Sequence, residues 1–236
     1  MEHTKMPAKT GTVYTNPAQP SQGDAREYRK VGFFRRVCSS LVYYLYYRPK
    51  AALVLHFRYR WHLEGKRLLR GFRKRGVFFY GNLTGTSLDL YLPARLSCKP
   101  VLLPASRQMV EDRGSPVRAL CGMIRTPETR ASYRPFLERL EKHTVKRGAV
   151  VVYPYKPTDT AAFLYPVRFD EAAFLFATVV KTDARGRTRA VTYLDGPFYA
   201  DDALPRHERA KDLASRLRRA ADSRLSGEDT PRGDAL

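Results

Sequence analysis

Residues 81 to 89 read Gly-Asn-Leu-Thr-Gly-Thr-Ser-Leu-Asp, so three hydroxyls, Thr84, Thr86 and Ser87, precede one carboxylate, Asp89. A carboxylate so placed is suited to orient an imidazole, a water or a backbone amide. A serine or threonine attacks an acyl group only where a base takes its proton. The five histidines are His3, His56, His62, His143 and His207, and none lies just ahead of Asp89. On local sequence alone the hydroxyls read as caps of a following helix. Asp89 reads as a first-turn residue favoured by that helix's dipole.

The elements that must carry this loop are a strand before it and a helix after it. Val77 to Tyr80 is a short apolar run ending in the Gly81-Asn82 turn, and Leu88 to Leu96 follows as a predicted helix. Beyond them strand-like and helix-like runs alternate, the pattern of an α/β domain with a mixed central sheet flanked by helices. Strands are predicted at 56 to 62, 100 to 103, 149 to 153, 174 to 180 and 189 to 194, the last two forming a hairpin through Asp183-Ala184-Arg185-Gly186. Helices are predicted at 111 to 120, at 134 to 146, and at 205 to 221 around Leu213 and Leu217. In the helix at 134 to 146, Phe136, Leu137, Leu140 and Val145 share a face and Gly148 serves as the C-terminal cap. His56 and His62 flank the first predicted strand, where they read as packing or surface residues.

The loop resembles the first signature of the glycerolipid (1-acylglycerol-3-phosphate) acyltransferase family, an Asn-His, a short spacer and an Asp, with Leu83 in place of the histidine. Leu120-Cys121-Gly122-Met123-Ile124-Arg125-Thr126-Pro127 is similar to the second block, whose basic residue holds the acceptor phosphate. Gly148 to Pro154 resembles the strand of the aromatic-Pro-Glu-Gly block, but Tyr155 and Lys156 stand where Glu and a small residue are usual. Residues 173 to 178 and 190 to 197 are similar to the apolar fourth block and the late strand.

The resemblance implies a donor acyl thioester on coenzyme A or an acyl carrier protein, and an acceptor lysophospholipid such as 1-acylglycerol 3-phosphate. It assigns Asp89 to catalysis and Arg125 to the acceptor phosphate; Thr84, Tyr155 and Lys156 are further candidates for substrate binding, and Arg107, Arg130 and Lys156 for additional phosphate contacts. Leucine takes no proton, so the expectation divides between an enzyme with altered chemistry and an inactive relative that retains lipid binding. No phosphate loop, dinucleotide fingerprint or Cys/His metal constellation occurs in the sequence, and no metal or nucleotide cofactor is implied.

The formal charge is +20 over 236 residues. It is uneven: residues 26 to 75 hold 15 Lys or Arg against Glu27 and Glu64. Such a field attracts any polyanion. Within this segment aromatics and arginines interleave, and the longest uncharged run, Val37 to Tyr47, is 11 residues, about half of the roughly 20 that a spanning helix needs. The segment suits the interface of an anionic phospholipid membrane, where rings sit at headgroup depth and cations meet anionic lipid. The competing reading is an amphipathic helix packed on its own domain. Pro49 is expected to end or kink it.

The domain plan is therefore a disordered arm at 1 to 26, a basic aromatic interface segment at 27 to 55, an acyltransferase-like domain at 56 to 220, and a disordered tail at 221 to 236. Cys38, Cys98 and Cys121 are too few and scattered for a disulfide framework. With the polar N-terminus they point to a reducing compartment and a cytoplasmic protein on the inner face of a membrane. The alternative class is a basic nucleic-acid-binding protein, but no recognised RNA or DNA motif accompanies the charge. A scaffold for an acidic protein partner is a third class with no feature of its own.

Overall fold

A computed structural model describes residues 38, 40 to 97, 100 to 105, 122 to 127, 129 to 154 and 163 to 226. The helix expected at 111 to 120 and the expected arm at 1 to 26 lie outside them. Seven strands form one sheet in the order β1-β7-β6-β2-β5-β3-β4. They are β1 (His62–Glu64), β2 (Val77–Gly81), β3 (Val101–Ala105), β4 (Met123–Arg125), β5 (Ala149–Val152), β6 (Ala172–Thr182) and β7 (Thr188–Phe198). All neighbours are parallel except β6 and β7, which pair antiparallel as the expected hairpin. Asp183 shapes its turn, the carboxylate accepting from the amides of Arg185 and Arg187 at 3.0 and 2.8 Å.

Side chains alternate across a strand, so the central strands divide one apolar run between two cores. Val77, Phe79, Val151, Phe174 and Phe176 face one way, into a core completed by helix α1 (Tyr43–Arg58), α2 (Leu88–Tyr91) and α3 (Pro93–Leu96). Phe78, Tyr80, Val150, Val152 and Leu175 face the other way, onto α4 (Arg130–Val145), α5 (Leu164–Phe169) and α6 (Arg206–Leu225). The fold is thus the expected mixed α/β sandwich.

Helix α1 is continuous from π-helical Tyr43–Tyr47 through α-helical Arg48–Leu53 to π-helical Val54–Arg58. It overturns the strand expected at 56 to 62, and β1 is confined to His62–Glu64. The alternation of basic and aromatic residues there is outweighed by another period: Tyr43, Tyr47, Ala51, Leu55 and Tyr59 are all buried. A spacing of four drifts around a helix of 3.6 residues per turn, and the wider π stretches bring the mean close to four, keeping these side chains on the sheet. Pro49 does not end the helix. It lacks the N–H that would bond to the fourth residue back, and the chain is underwound beside it.

Two helix boundaries differ from the sequence reading. Helix α4 begins at Arg130, where Thr129 and Ser132 form a reciprocal capping box. Its buried face runs through Phe136, Leu137, Leu140 and Thr144, while Val145 is 74% exposed. Five residues on from Leu140 is about 140° round the helix, off the buried face. The left-handed residue that closes α4 is Arg147, at φ 63°, and the Gly148 N–H bonds to the His143 carbonyl at 2.9 Å. Gly148 is needed one position later because a Cβ there would overlap the His143 ring. Helix α6 buries Leu213 and Leu217 as expected and runs on to Leu225. Its last turn, expected to be tail, is held by Arg224, which donates to both Asp195 oxygens at 2.9 and 2.7 Å.

Candidate functional site

β2 delivers the chain to the site. Gly81 ends it under the ring of Phe176, where any Cβ would overlap that ring. Asn82 then extends the sheet by one rung with its side chain: its amide donates to the Thr178 carbonyl at 2.9 Å and its oxygen accepts the Thr178 N–H at 2.8 Å. Leu83 follows, 44% exposed at the mouth of the loop.

Asp89 is buried in the first turn of α2, yet its carboxylate serves the loop before that helix. It accepts the Thr84 N–H at 3.0 and 3.1 Å, the Gly85 N–H at 3.0 Å and the Thr84 hydroxyl at 2.7 Å. Among the described residues no imidazole shares a hydrogen bond with it. The Thr86 hydroxyl accepts the Leu88 N–H at 3.2 Å, while Ser87, at the N-cap of α2, makes no side-chain capping bond. Ser87 and the Tyr59 hydroxyl are 2.7 Å apart. The carboxylate holds the loop in a fixed turn.

Three tyrosines that the sequence reading left out tie this loop to the core. Tyr153 donates to the backbone carbonyl of Asp89 at 3.0 Å, with its ring edge-on to Phe176 at 5.6 Å. Burial holds its hydroxyl well above the usual tyrosine range, and the nearby Asp89 charge adds to the effect. Tyr47 of α1 donates to the Leu90 carbonyl at 2.7 Å, and Tyr59 reaches Ser87. The helix and the loop therefore share a crevice of about 430 Å³, lined by Leu53, Phe57 and Arg58 on one side and Ser87 and Tyr91 on the other. The signal for Tyr47 and Tyr59 was the four-residue stripe of α1.

Of the expected site residues, Asp89 and Thr84 come together. Arg125 is half-buried at the C-terminal end of β4. That end of the sheet also carries the motif loop, but β5 and β3 intervene. At about 4.8 Å per strand this is roughly 14 Å along the edge. Arg107, Tyr155 and Lys156 lie outside the described residues, as does the side chain of Arg130. His56 is exposed on α1, away from Asp89's hydrogen bonds. No group of three His, Cys, Asp or Glu among the described residues is arranged to hold a metal ion.

No protein-family model matches the chain. No curated protein matches it either. Among solved structures, the 1-acyl-sn-glycerophosphate (LPA) acyltransferase PlsC from Thermotoga maritima is similar with a TM-score of 0.52 and 13% identity, over 88% of this chain and 87% of that one. The chain thus has an acyltransferase-like fold. At that identity the likeness carries over the scaffold and not the chemistry.

Proposed function

We propose that this protein is a membrane-surface, acyltransferase-like protein that binds a lysophospholipid and an acyl thioester without transferring the acyl group. The observation that carries this reading is the pairing of an exposed Leu83 with an Asp89 carboxylate committed to Thr84 and Gly85. Transfer by the usual route needs a base on the acceptor hydroxyl and a carboxylate steadying that base. The base is replaced, and the carboxylate has become a loop fastener.

The surface of α1 supports the membrane part of the reading. Opposite its buried stripe, Leu41, Leu45, Tyr46, Leu53 and Phe57 are between 53% and 75% exposed, with Lys50 and Arg58 among them. No described helix is long and apolar enough to cross a membrane. An apolar face rimmed by cations suits insertion into the headgroup boundary of anionic lipid. Because that face borders the crevice at Ser87 and Tyr91, a lipid entering from the bilayer would meet the motif loop directly.

The test is acyl transfer from a long-chain acyl thioester to 1-acylglycerol 3-phosphate by purified protein, read by mass spectrometry, beside Asp89→Ala and Leu83→His. No product from the unmodified protein, with measurable binding of the lysolipid, is the expected result. Product from Leu83→His alone would add that the pocket still aligns both ligands. Product from the unmodified protein that disappears in Asp89→Ala would overturn the non-catalytic reading.

A further inference from the structure

At the opposite end of β2 from the motif loop lies a cavity of about 570 Å³. It sits beside Val77, the first residue of the strand, whereas the loop follows Gly81, the last. Val77 and Gly81 are four steps apart, about 13 Å at 3.3 Å each, and Phe79, between them, is the lining residue of the strand nearest the loop. Eight Lys or Arg residues line the cavity and no Asp or Glu does. They come from unconnected parts of the chain: Arg48 from α1, Lys66, Arg67, Arg70 and Arg73 from the 3₁₀ helix Lys66–Phe72 and its end, Arg75 from the turn before β2, Arg95 from α3, and Arg147 from the turn before β5.

Cations on a solvated surface spread apart, because each like-charged neighbour raises the cost of the next. Here separate segments of the chain bring them to one concavity with no lining carboxylate to offset them. The floor is of different chemistry. Leu69, Phe72 and Phe79 line it, and Phe72 is set edge-on to the core ring of Phe174 at 5.0 Å, so the apolar surface is fixed by the fold. An inorganic anion would leave that floor wet, and a neutral lipid would leave the cations unmatched.

We propose that this cavity is a binding site for an organic phosphate carrying an apolar body, of the class of single-chain alkyl or acyl phosphates. The volume falls in the range of small-molecule sites, and an apolar wall with a few converging charged groups is their usual make-up. Guanidinium groups grip phosphate oxygens in pairs, which suits Arg70, Arg73 and Arg95 to the headgroup. The site is separate from the motif loop and stands whether or not the proposed lipid binding at Leu83 and Asp89 holds.

Calorimetric titration with dodecyl phosphate below its micelle concentration tests the site on the full chain. The expected result is saturable one-to-one binding that weakens with salt and falls by about tenfold in Arg70→Gln/Arg73→Gln. Arg185→Gln, in the exposed β6–β7 turn, should bind as the parent does. Should the double variant unfold, Arg95→Gln and competition by pyrophosphate give the same readings. Equal affinity for inorganic phosphate would overturn the role of the apolar floor. Binding to vesicles containing phosphatidylglycerol but not to monomeric dodecyl phosphate would overturn the discrete site and assign these arginines to a membrane surface.

Discussion

Asp89 is bound by Thr84 through both the backbone and the side chain, at 3.0 and 3.1 Å from the amide and 2.7 Å from the hydroxyl. A buried carboxylate with several such partners organises its loop, and removing it strands two amides. Asp89→Ala should therefore lower stability by about 2 to 4 kcal/mol, and Thr84→Val, which keeps the amide, by about 1 kcal/mol. Urea unfolding of the two variants checks this. An unchanged midpoint for Asp89→Ala would show that the carboxylate is not structural.

Asn82 offers a sharper chemical contrast. Its side chain both donates to and accepts from Thr178, so it completes the ladder where β2 ends. Asn82→Ala should cost about 1 to 3 kcal/mol. Asn82→Asp keeps the acceptor but sets a carboxylate oxygen against the Thr178 carbonyl, and should be worse than alanine at neutral pH. Thermal unfolding ranks the two, and the opposite order would refute the pairing.

These two residues show how far the sequence could be read. The strands around the site were legible because β2, β5 and the first seven residues of β6 are buried on both faces, and their sequences are largely apolar runs. The loop was legible as a turn with a hydroxyl cluster. The course of α1 past residue 55 was not, because the underwound helix needs a period of four, which a 3.6-residue template misses while basic and aromatic residues mimic a strand. The bond from Tyr153 to Asp89 spans 64 positions, and no local pattern announces it. Arg125 was identified by its block, yet its place at the sheet edge depended on the strand order.

The exposed face of α1 should govern membrane binding without governing stability. Leu45 and Phe57 are 75% and 74% exposed, so Leu45→Glu and Phe57→Glu should change folding stability by no more than about 0.5 kcal/mol. On vesicles containing anionic lipid each removes an apolar anchor and adds a repelled charge. Sedimentation should show binding falling by about tenfold or more. Unchanged sedimentation by the double variant would place the membrane contact elsewhere.

His143 supplies a pH dependence. Its Nε2–H donates to the Ala149 carbonyl at 3.1 Å, against the Gly148 backbone just after α4. Burial lowers its pKa from the ordinary 6.5, and the charges of Arg139 and Lys146 act in the same direction against the bonds to the Ala149 and Pro100 carbonyls. The unfolded chain therefore binds a proton at a pH where the folded chain does not. The neutral ring is at home above pH 6.5, and the associated stability is lost as pH falls below that value toward the lower folded pKa. Melting temperature followed from pH 8 to 5 should decline over the acidic half. His143→Gln, which keeps a donor for Ala149 but does not titrate, should flatten that decline. An equal slope in the variant would assign the acid sensitivity to other groups.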